Sequence, residues 1–164
     1  MKKIERFSLG MGDRFAHEGR AQLLAVVQAA KEGINLVPVW NKSNREHTIV
    51  KSKPDDVRAE ADSAVQHLGW KNSYYVDADH IGLATVDNFI SACDFFTLDV
   101  ADFTGKAAPA GDIEQFVKEQ GKYRGQLAIP GIAVPFEITD DLLRRAALKF
   151  LLAVKEAGRI YRHI

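Results

Sequence analysis

The sequence predicts an α/β fold in which consecutive strand–helix units build a parallel sheet. Short apolar segments, typical of buried strands, alternate four times with longer segments whose apolar residues follow helical spacing. Polar residues come directly after the predicted strands, where the sites of parallel α/β folds collect. The 164 residues suffice for one domain, whereas a complete (β/α)₈ barrel takes about 250 residues. The candidates are therefore a small open doubly wound sheet and part of a barrel.

The first half of the chain predicts three strands separated by two helices. In chain order these are a strand over residues 6–10, a helix over 18–31, a strand over 35–40, a helix that begins at Pro54 and stops at Gly69, and a strand over 73–78. Pro54 suits the first turn of a helix, and Gly69 suits the position just after its end. Pro38 lies inside the second strand, where its missing N–H predicts a weakened strand or an irregular position.

The second half predicts one further strand and three helices. In chain order these are a helix over residues 83–92 with Thr85 as its cap, a strand over 95–100, a helix over 112–120, an irregular stretch over 125–135, and a helix from about 139 to 162. Thr139, followed by two aspartates, is expected to cap the last helix. No low-complexity segment or linker interrupts the chain, so the sequence predicts a single domain over residues 1–164.

Composition excludes several classes of protein. The chain has 22 basic and 22 acidic residues, so no basic surface for nucleic acid is expected, and weak charge repulsion favours self-association. Its single cysteine, Cys93, cannot form an internal disulfide or a cysteine-rich zinc site, and its surroundings predict a buried, inert thiol. The charged amino terminus predicts no signal peptide, and no apolar run is long enough for a membrane span. We therefore expect a cytoplasmic protein without a membrane or nucleic-acid partner.

Four groups of polar residues follow the predicted strands. They are residues 12–14, 41–47 and 77–80, and the pair Asp99 and Asp102. Asp79 and His80 are the most informative pair, because an imidazole can bind a divalent cation while a neighbouring carboxylate moves a proton. The dipeptide taken alone favours a plainer interpretation, in which Asp79 caps the next helix and His80 is hydrogen-bonded in a loop.

The segment 41–47 is dense in hydrogen-bond donors. Lys42 and Arg45 could clamp a carboxylate or phosphate group, the arginine in bidentate fashion. A solvated loop is the alternative, and composition does not decide between the two. Gly10 and Gly12 match half of a dinucleotide-binding fingerprint, but Phe15 occupies its third glycine position, which argues against NAD binding.

Five segments closely resemble the N-terminal part of the tagaturonate epimerase family. They are GMGDRFAHEGRAQL, VPVWNKSNREHTIV, DVRAEADSAV, VDADHIGLATVDNFI and FFTLDVADFTGK. Members of that family interconvert D-tagaturonate and D-fructuronate in hexuronate catabolism, use a divalent metal, and are well over twice as long as this chain. The resemblance therefore implies the N-terminal portion of a larger (β/α)₈, TIM-like barrel that acts on a small sugar acid by retro-aldol or proton-transfer chemistry.

That family is similar in turn to class II, metal-dependent sugar aldolases, which carry an Asp-His pair at the end of an early strand. The segment VDADH matches this pattern, so the resemblance implies Asp79 as the acid and base and His80 as a metal ligand. It also implies a sugar-acid binding loop at NKSNREH, with the substrate-binding residues Asn41, Lys42, Ser43, Asn44, Arg45 and His47. The identity of the divalent metal, Zn²⁺, Mn²⁺ or a similar cation, stays open.

The resemblance also implies a site that is incomplete within this chain. A catalytic zinc usually has three protein ligands, so further ligands are expected in a missing C-terminal segment, with Asp99 or Glu46 as weak local candidates. The open sheet edge of a partial barrel is expected to be covered by the last helix, by another copy in a homo-oligomer, or by that segment. Two alternative functions remain: another class II aldolase-like aldolase or isomerase of a sugar acid, and a catalytically inactive fragment.

Overall fold

The computed structural model describes residues 4–164, so the first three residues of the charged amino terminus lie outside the described residues. Contacts between Cα atoms divide the chain into two compact units, Met1–Leu98 with Ile164, and Asp99–His163. The prediction of a single domain remains a prediction. No helix among residues 4–164 is both long enough and apolar enough to cross a membrane.

The first unit is built on four parallel strands. Its elements are β1 (Ser8–Gly12), α1 (Gly19–Lys31), β2 (Val37–Ser43), α2 (Asn44–Val50), α3 (Pro54–Leu68), β3 (Tyr75–Ile81) and β4 (Phe95–Leu98). The strands lie in the order β1-β2-β3-β4, each beside its predecessor. This confirms the predicted α/β fold with a parallel sheet. The spatial order of the strands follows their order in the chain without a reversal, so right-handed crossovers place the connecting helices on one face of the sheet, as in a barrel. A doubly wound sheet has helices on both faces and needs a reversal of the strand order.

Helices α1 and α3 cover one face of this sheet. Leu23 of α1 and Ala61 of α3, both fully buried, pack with Met11, Trp40 and Val76 of three successive strands. These three strand residues are partners in the register, so they lie side by side on the same face. We call this the helix face and the other side of the sheet the open face.

The open face changes character along the strands. Towards their amino ends it is apolar, with Val37, Val39 and Tyr75 buried together and the Tyr75 ring stacked on Phe95 at 4.6 Å between ring centres. Towards their carboxyl ends the same face carries polar side chains, because successive residues of a strand alternate between the two faces. The apolar row thus forms a floor beneath the polar end.

Pro38 fits inside β2 without losing a ladder hydrogen bond. The Val37 N–H donates to the Phe7 carbonyl on the β1 side at 3.1 Å. The backbone nitrogen of the next residue, Pro38, is therefore directed to the β3 side. The register between β2 and β3 begins only at Val39. Because Pro38 precedes that register, its missing N–H leaves no carbonyl unpaired within the ladder.

Helix α3 has the predicted ends, whereas two other predictions about local structure are wrong. Pro54 begins the helix, and Gly69 ends it in the left-handed conformation. The segment 41–47 is not a loop, because its first three residues complete β2 and the rest lie in α2. The predicted helix over residues 83–92 is replaced by a short 3₁₀ turn, Val86–Asn88.

The second unit contains two helices and a hairpin. Its elements are α4 (Ala110–Gln120), β5 (Gly125–Leu127), β6 (Phe136–Ile138) and α5 (Asp140–His163). Ile113 of α4 and Ala147 of α5 are buried against each other and Ala108. Thr139 Oγ1 accepts a hydrogen bond from the Leu142 N–H at 3.2 Å, which confirms its predicted role as cap. The stretch predicted to be irregular, residues 125–135, begins with β5, and β6 follows directly after it as the antiparallel partner of β5.

Candidate active site

Polar side chains gather on the open face at the carboxyl ends of β2 and β3. In the register, Asn41 of β2 lies beside Asp77 of β3, and Ser43 lies beside Asp79. Gly12 of β1 is the neighbour of Asn41 on the other side. All five positions have the same parity along their strands, so they share the open face. The site therefore contains two carboxylates, an amide and a hydroxyl next to a glycine.

The two β1 glycines leave room over the sheet beside Asn41. A Cβ atom at Gly12 would lie 3.2 Å from Asn41 Oδ1, and one at Gly10 would lie 3.5 Å from Asn41 Nδ2. The Asn41 amide thus extends across β1, towards the space that larger residues would fill. This arrangement suits a polar ligand that lies flat against the strands, because backbone and amide groups are both within its reach.

His80 occupies an irregular position of β3. Its φ is +54°, in the left-handed region, and the pairing with β4 shifts between Ala78 and Ile81. Such a bulge redirects a side chain and is common beside active sites. The His80 side chain is 64% exposed, and its Nδ1 lies 2.8 Å from Asp79 Oδ1. With Nδ1 held by the carboxylate, Nε2 is the nitrogen that can bind another group.

We expect glycine at position 80 to give a more stable protein than alanine. Both His80→Gly and His80→Ala remove the hydrogen bond to Asp79, but only glycine tolerates a positive φ without strain. The free energy of unfolding should therefore be about 1 kcal/mol higher for the glycine variant. Urea unfolding of the two variants measures this difference, and equal stabilities would argue against the left-handed backbone.

Asp77 is a site residue that sequence reasoning did not single out. Thr97 Oγ1 donates a hydrogen bond to Asp77 Oδ2 at 2.7 Å, while Asp77 Oδ1 is buried and has no hydrogen-bond partner among residues 4–164. Burial raises the pKa of Asp77, and the nearby charge of Asp79 adds to this rise. The signal for finding it was available, because Asp77 lies two residues before Asp79 and so shares its face of the strand.

Ser43 and Glu46 are occupied by a capping box. The Glu46 N–H donates to Ser43 Oγ at 3.3 Å, and the Ser43 N–H donates to Glu46 Oε2 at 3.1 Å. Glu46 also lies 3.6 Å from Arg14. The backbone hydrogen bond from Ser43 lowers the pKa of the Glu46 carboxyl group, and the Arg14 charge adds to this. Ser43 therefore starts α2, and its exposed fraction is only 8%.

The other predicted substrate-binding residues divide between the surface and the interior. Asn44 and Arg45 lie in the first turn of α2, with Arg45 exposed. Lys42 is only 1% exposed and lies on the helix face, next to the Ala78 position rather than the Asp79 position. His47 is 5% exposed. The structure thus brings Asn41 and Ser43 to the side of Asp79, and separates Lys42 from it.

Lys42 and His47 are joined through Ser52. Lys42 Nζ lies 2.7 Å from Ser52 Oγ, and His47 Nδ1 lies 2.9 Å from the same oxygen. Burial lowers the pKa of His47, and the Lys42 charge lowers it further, against the opposing charges of Asp56 and Glu46. Burial likewise lowers the pKa of Lys42. The imidazole is therefore held neutral inside the protein.

Stability is expected to fall as the pH drops below about 6.5, the ordinary pKa of histidine. The unfolded chain binds a proton at His47 before the folded chain does, so acid favours unfolding, with a slope of at most about 1.4 kcal/mol per pH unit. Urea unfolding between about pH 5.5 and about pH 7.5 should show this slope, and His47→Gln should reduce it. His67→Gln, at an exposed position of α3, is the control. A slope unchanged in the His47 variant would contradict this assignment.

The loop after β1 is ordered by Asp13. Its carboxylate accepts backbone hydrogen bonds from Phe15 at 3.0 Å, His17 at 2.5 Å and Glu18 at 2.6 Å. Burial opposes ionisation, but these N–H donors outweigh it and lower the pKa of Asp13. Asp13 therefore shapes the connection from β1 to α1.

Cys93 and Asp99 make contacts that stabilise the local structure. Burial raises the pKa of Cys93 to about 12, and its side chain packs partly buried against the helix-face core, so it is a protonated thiol at neutral pH. Asp99 Oδ1 accepts a hydrogen bond from the Ala101 N–H at 3.2 Å in the second unit. Within residues 4–164, no group of three or more histidine, cysteine, aspartate or glutamate side chains could hold a metal ion.

Comparison with known proteins gives one family and one kind of solved structure. The model of the tagaturonate epimerase family matches residues 1–163. No curated protein is similar enough to the chain to match. Two solved structures of a fructuronate-tagaturonate epimerase from Cohnella laeviribosi are similar, the form with one glycerol at 19% identity and a TM-score of 0.71, and the native form at 20% and 0.70.

These structural matches cover almost all of this chain but a minor part of the enzyme. Each match includes 96% of this chain and 34% of the Cohnella chain. At such low identity the likeness shows a shared fold. This chain therefore has the fold of about one third of that enzyme.

Proposed function

Because the chain belongs to the tagaturonate epimerase family, we propose that it supplies the Asp79–His80 pair to an enzyme that interconverts D-tagaturonate and D-fructuronate. The observation that supports this most directly is the hydrogen bond between His80 Nδ1 and Asp79 Oδ1 at the carboxyl end of β3. It joins a carboxylate on the open face to an exposed imidazole in a bulge. This is where parallel α/β enzymes place catalytic groups.

A divalent metal fits this pair in part. His80 can offer Nε2 to the metal, because the hydrogen bond of Nδ1 to a carboxylate fixes the ring, as in many metal sites. A bound Zn²⁺ or Mn²⁺ would polarise a carbonyl group of the substrate. The described residues contain no group of three candidate ligands, so the proposal places the remaining ligands in other parts of a larger barrel or in a second copy.

The chemistry that we propose for Asp79 is proton transfer during a retro-aldol step. An epimer at a carbon beta to a ketone cannot form by simple enolisation, because that C–H bond is not acidified by the ketone. If the inverted centre is of this kind, Asp79 takes the hydroxyl proton as the adjacent C–C bond breaks to give an aldehyde and an enolate. The enolate then adds to the opposite face of the aldehyde, and Asp79 returns the proton. For a centre alpha to the carbonyl, Asp79 would instead remove and return the carbon-bound proton.

Substrate binding is proposed for Asn41, which shares the open face with Asp79, and for Arg45 of α2. Asn41 can donate and accept hydrogen bonds to sugar hydroxyl groups over the glycine-lined part of β1. Arg45, exposed on α2, is a candidate for the substrate carboxylate. The open face itself needs a cover, and a second copy or a further segment of the barrel is the proposed one.

The direct test is an epimerisation assay. The chain is freed of metal with a chelator, supplied with Mn²⁺ or Zn²⁺, and incubated with D-tagaturonate while the product is followed by NMR. Formation of D-fructuronate only with metal supports the proposal. The same assay is run with a panel of other sugar acids, and cleavage or isomerisation of one of these instead favours another aldolase-like enzyme.

An inactive fragment is the second candidate, because the chain covers 34% of the solved enzyme. Metal titration by calorimetry distinguishes an inactive fragment of the enzyme from a protein that has no metal site. Binding heat that His80→Ala abolishes, without turnover, would indicate a preformed metal position that lacks its partners. Absence of both turnover and His80-dependent binding would contradict the proposed function for this chain.

A further inference from the structure

A polar cavity, separate from the site at Asp79, lies beside α2 and the amino end of α3, within the first unit. It has a volume of about 450 Å³. Its lining includes Asn44, His47, Lys51, Ser52, Lys53 and Asp55. With Thr48 and Asn88, the lining comprises two lysines, two amides, two hydroxyls and an imidazole against one carboxylate, which gives the cavity an excess of positive charge and hydrogen-bond donors. Asp79 and His80 are not among its lining residues.

A buried cation lies directly behind the wall of this cavity. Lys42 is 1% exposed, and its ammonium group reaches Ser52 Oγ at 2.7 Å. In the described part of the chain it forms no ion pair within hydrogen-bonding range. A buried charge normally has a counter-charge, and here the direct partner is a neutral hydroxyl.

The acidic residues nearest to Lys42 are occupied by other groups. Asp13 accepts three backbone hydrogen bonds, Glu46 belongs to the capping box, and Asp56 Oδ2 accepts the Lys53 N–H at 2.7 Å. They attract Lys42 only at a distance. The positive charge behind Ser52 is therefore incompletely compensated.

Hydrogen bonds connect this charge to the cavity. An ammonium group can only donate, so Ser52 Oγ accepts from Lys42. The same oxygen lies 2.9 Å from His47 Nδ1, and which of these two atoms donates depends on the imidazole tautomer. Ser52 therefore links the buried ammonium group to an imidazole that lines the cavity.

We propose that this cavity binds a small oxyanion, the carboxylate of a sugar acid or inorganic phosphate, through His47, Ser52, Lys51 and Lys53, with Lys42 as the buried counter-charge. The proposal does not depend on the epimerase function, since the site is separate from Asp79. The lowered pKa values of Lys42 and His47 agree with it, because burial lowers both and the carboxylates of Glu46 and Asp56 oppose this effect without reversing it.

The test titrates the whole chain separately with inorganic phosphate and with D-gluconate. Imidazole resonances of His47 and His80 are followed by NMR. We expect a saturable shift of His47 with at least one probe, and the probe that saturates at lower concentration identifies the source of the oxyanion. Lys42→Met, which keeps the side-chain volume, should weaken binding about tenfold or more, as expected for loss of a charge-assisted interaction. Lys31→Met, at an exposed position of α1, is the matched control.

A second variant keeps the proposal testable if Lys42→Met does not fold. Replacing both Lys51 and Lys53 with methionine removes surface charge only, and it should weaken the same binding. Asp79→Asn should leave the His47 shift unchanged. Three results would each overturn the proposal. The first is a shift confined to His80, and the second is no saturable shift with either probe. The third is binding that is equally strong in the lysine variants and in the unmodified chain.

Discussion

Asp79→Asn is expected to lower the kcat of the proposed epimerisation by about 10² to 10⁴-fold, the usual contribution of a general acid–base group. Asparagine keeps an oxygen that can accept the hydrogen bond from His80 Nδ1, so the imidazole stays in place. Only the proton-accepting group is lost. The measurement is a steady-state assay of the metal-supplied protein, with KM determined separately from kcat.

The matched control is Asp141→Asn, which changes an exposed aspartate in the first turn of α5 that forms a surface ion pair with Arg145. Its kcat should equal that of the unmodified protein. Thermal unfolding of both variants checks that neither change acts through the fold. An Asp79→Asn protein with unchanged kcat would remove Asp79 from the mechanism, whatever the role of His80.

The order of strands and helices in the first unit was largely predictable from local signals. Pro54 and Gly69 mark the two ends of α3 because each suits only one kind of helix terminus. Phe95 and its neighbours form β4 as expected. These signals are local, so a sequence displays them without knowledge of the packing. The family was likewise predictable, and the family model confirms it.

The predicted helix over residues 83–92 is wrong because the spacing of its apolar residues fits two kinds of helix. Val86 and Phe89 have helical spacing, and both are fully buried. However, the Phe89 N–H bonds to the Val86 carbonyl three residues back, and the Ala92 N–H does the same with Phe89. The spacing of two buried anchors suits a 3₁₀ turn as well as an α-helix, so periodicity alone could not separate them in so short a connection.

Asp79 and Asp77 show what the alternation rule can reach in the site. Since β3 extends to Ile81, the alternation of side chains between the two faces of a strand places both carboxylates on one face. His80 escapes the rule, because a bulge and a positive φ redirect its side chain. A bulge depends on the pairing with β4, which the sequence of β3 does not display. The sequence shows that Asp79 and His80 are neighbours, but it does not show the backbone conformation that brings His80 Nδ1 to the Asp79 carboxylate.

Lys42 shows how one misplaced strand end changes the interpretation of a residue. With the strand ending at residue 40, Lys42 belongs to a polar loop at the mouth of the sheet, free to bind a substrate. The strand continues to Ser43, and alternation then turns Lys42 to the helix face, where it is 1% exposed. A structural role and a substrate-binding role for this lysine predict different mutational effects.

Lys42→Ala should lower the free energy of unfolding by about 2–5 kcal/mol, the range for truncation of a large buried side chain. The change leaves a cavity on the helix face and removes the donor to Ser52 Oγ. Lys42→Met fills nearly the same volume without the buried charge, so it should cost less than about 1.5 kcal/mol. Urea unfolding of both variants gives the comparison, with Lys31→Ala on the exposed side of α1 as control.

The order of these effects separates the two roles of Lys42. A side chain that acts through packing gives an alanine variant far less stable than the methionine variant, and methionine then retains epimerisation. A side chain that clamps the substrate carboxylate gives two variants of similar stability that both lose substrate affinity. Because Lys42 is buried behind Ser52 and lies on the other face from Asp79, we expect the first pattern. Equal stability of the alanine variant and the unmodified protein would contradict the buried position itself.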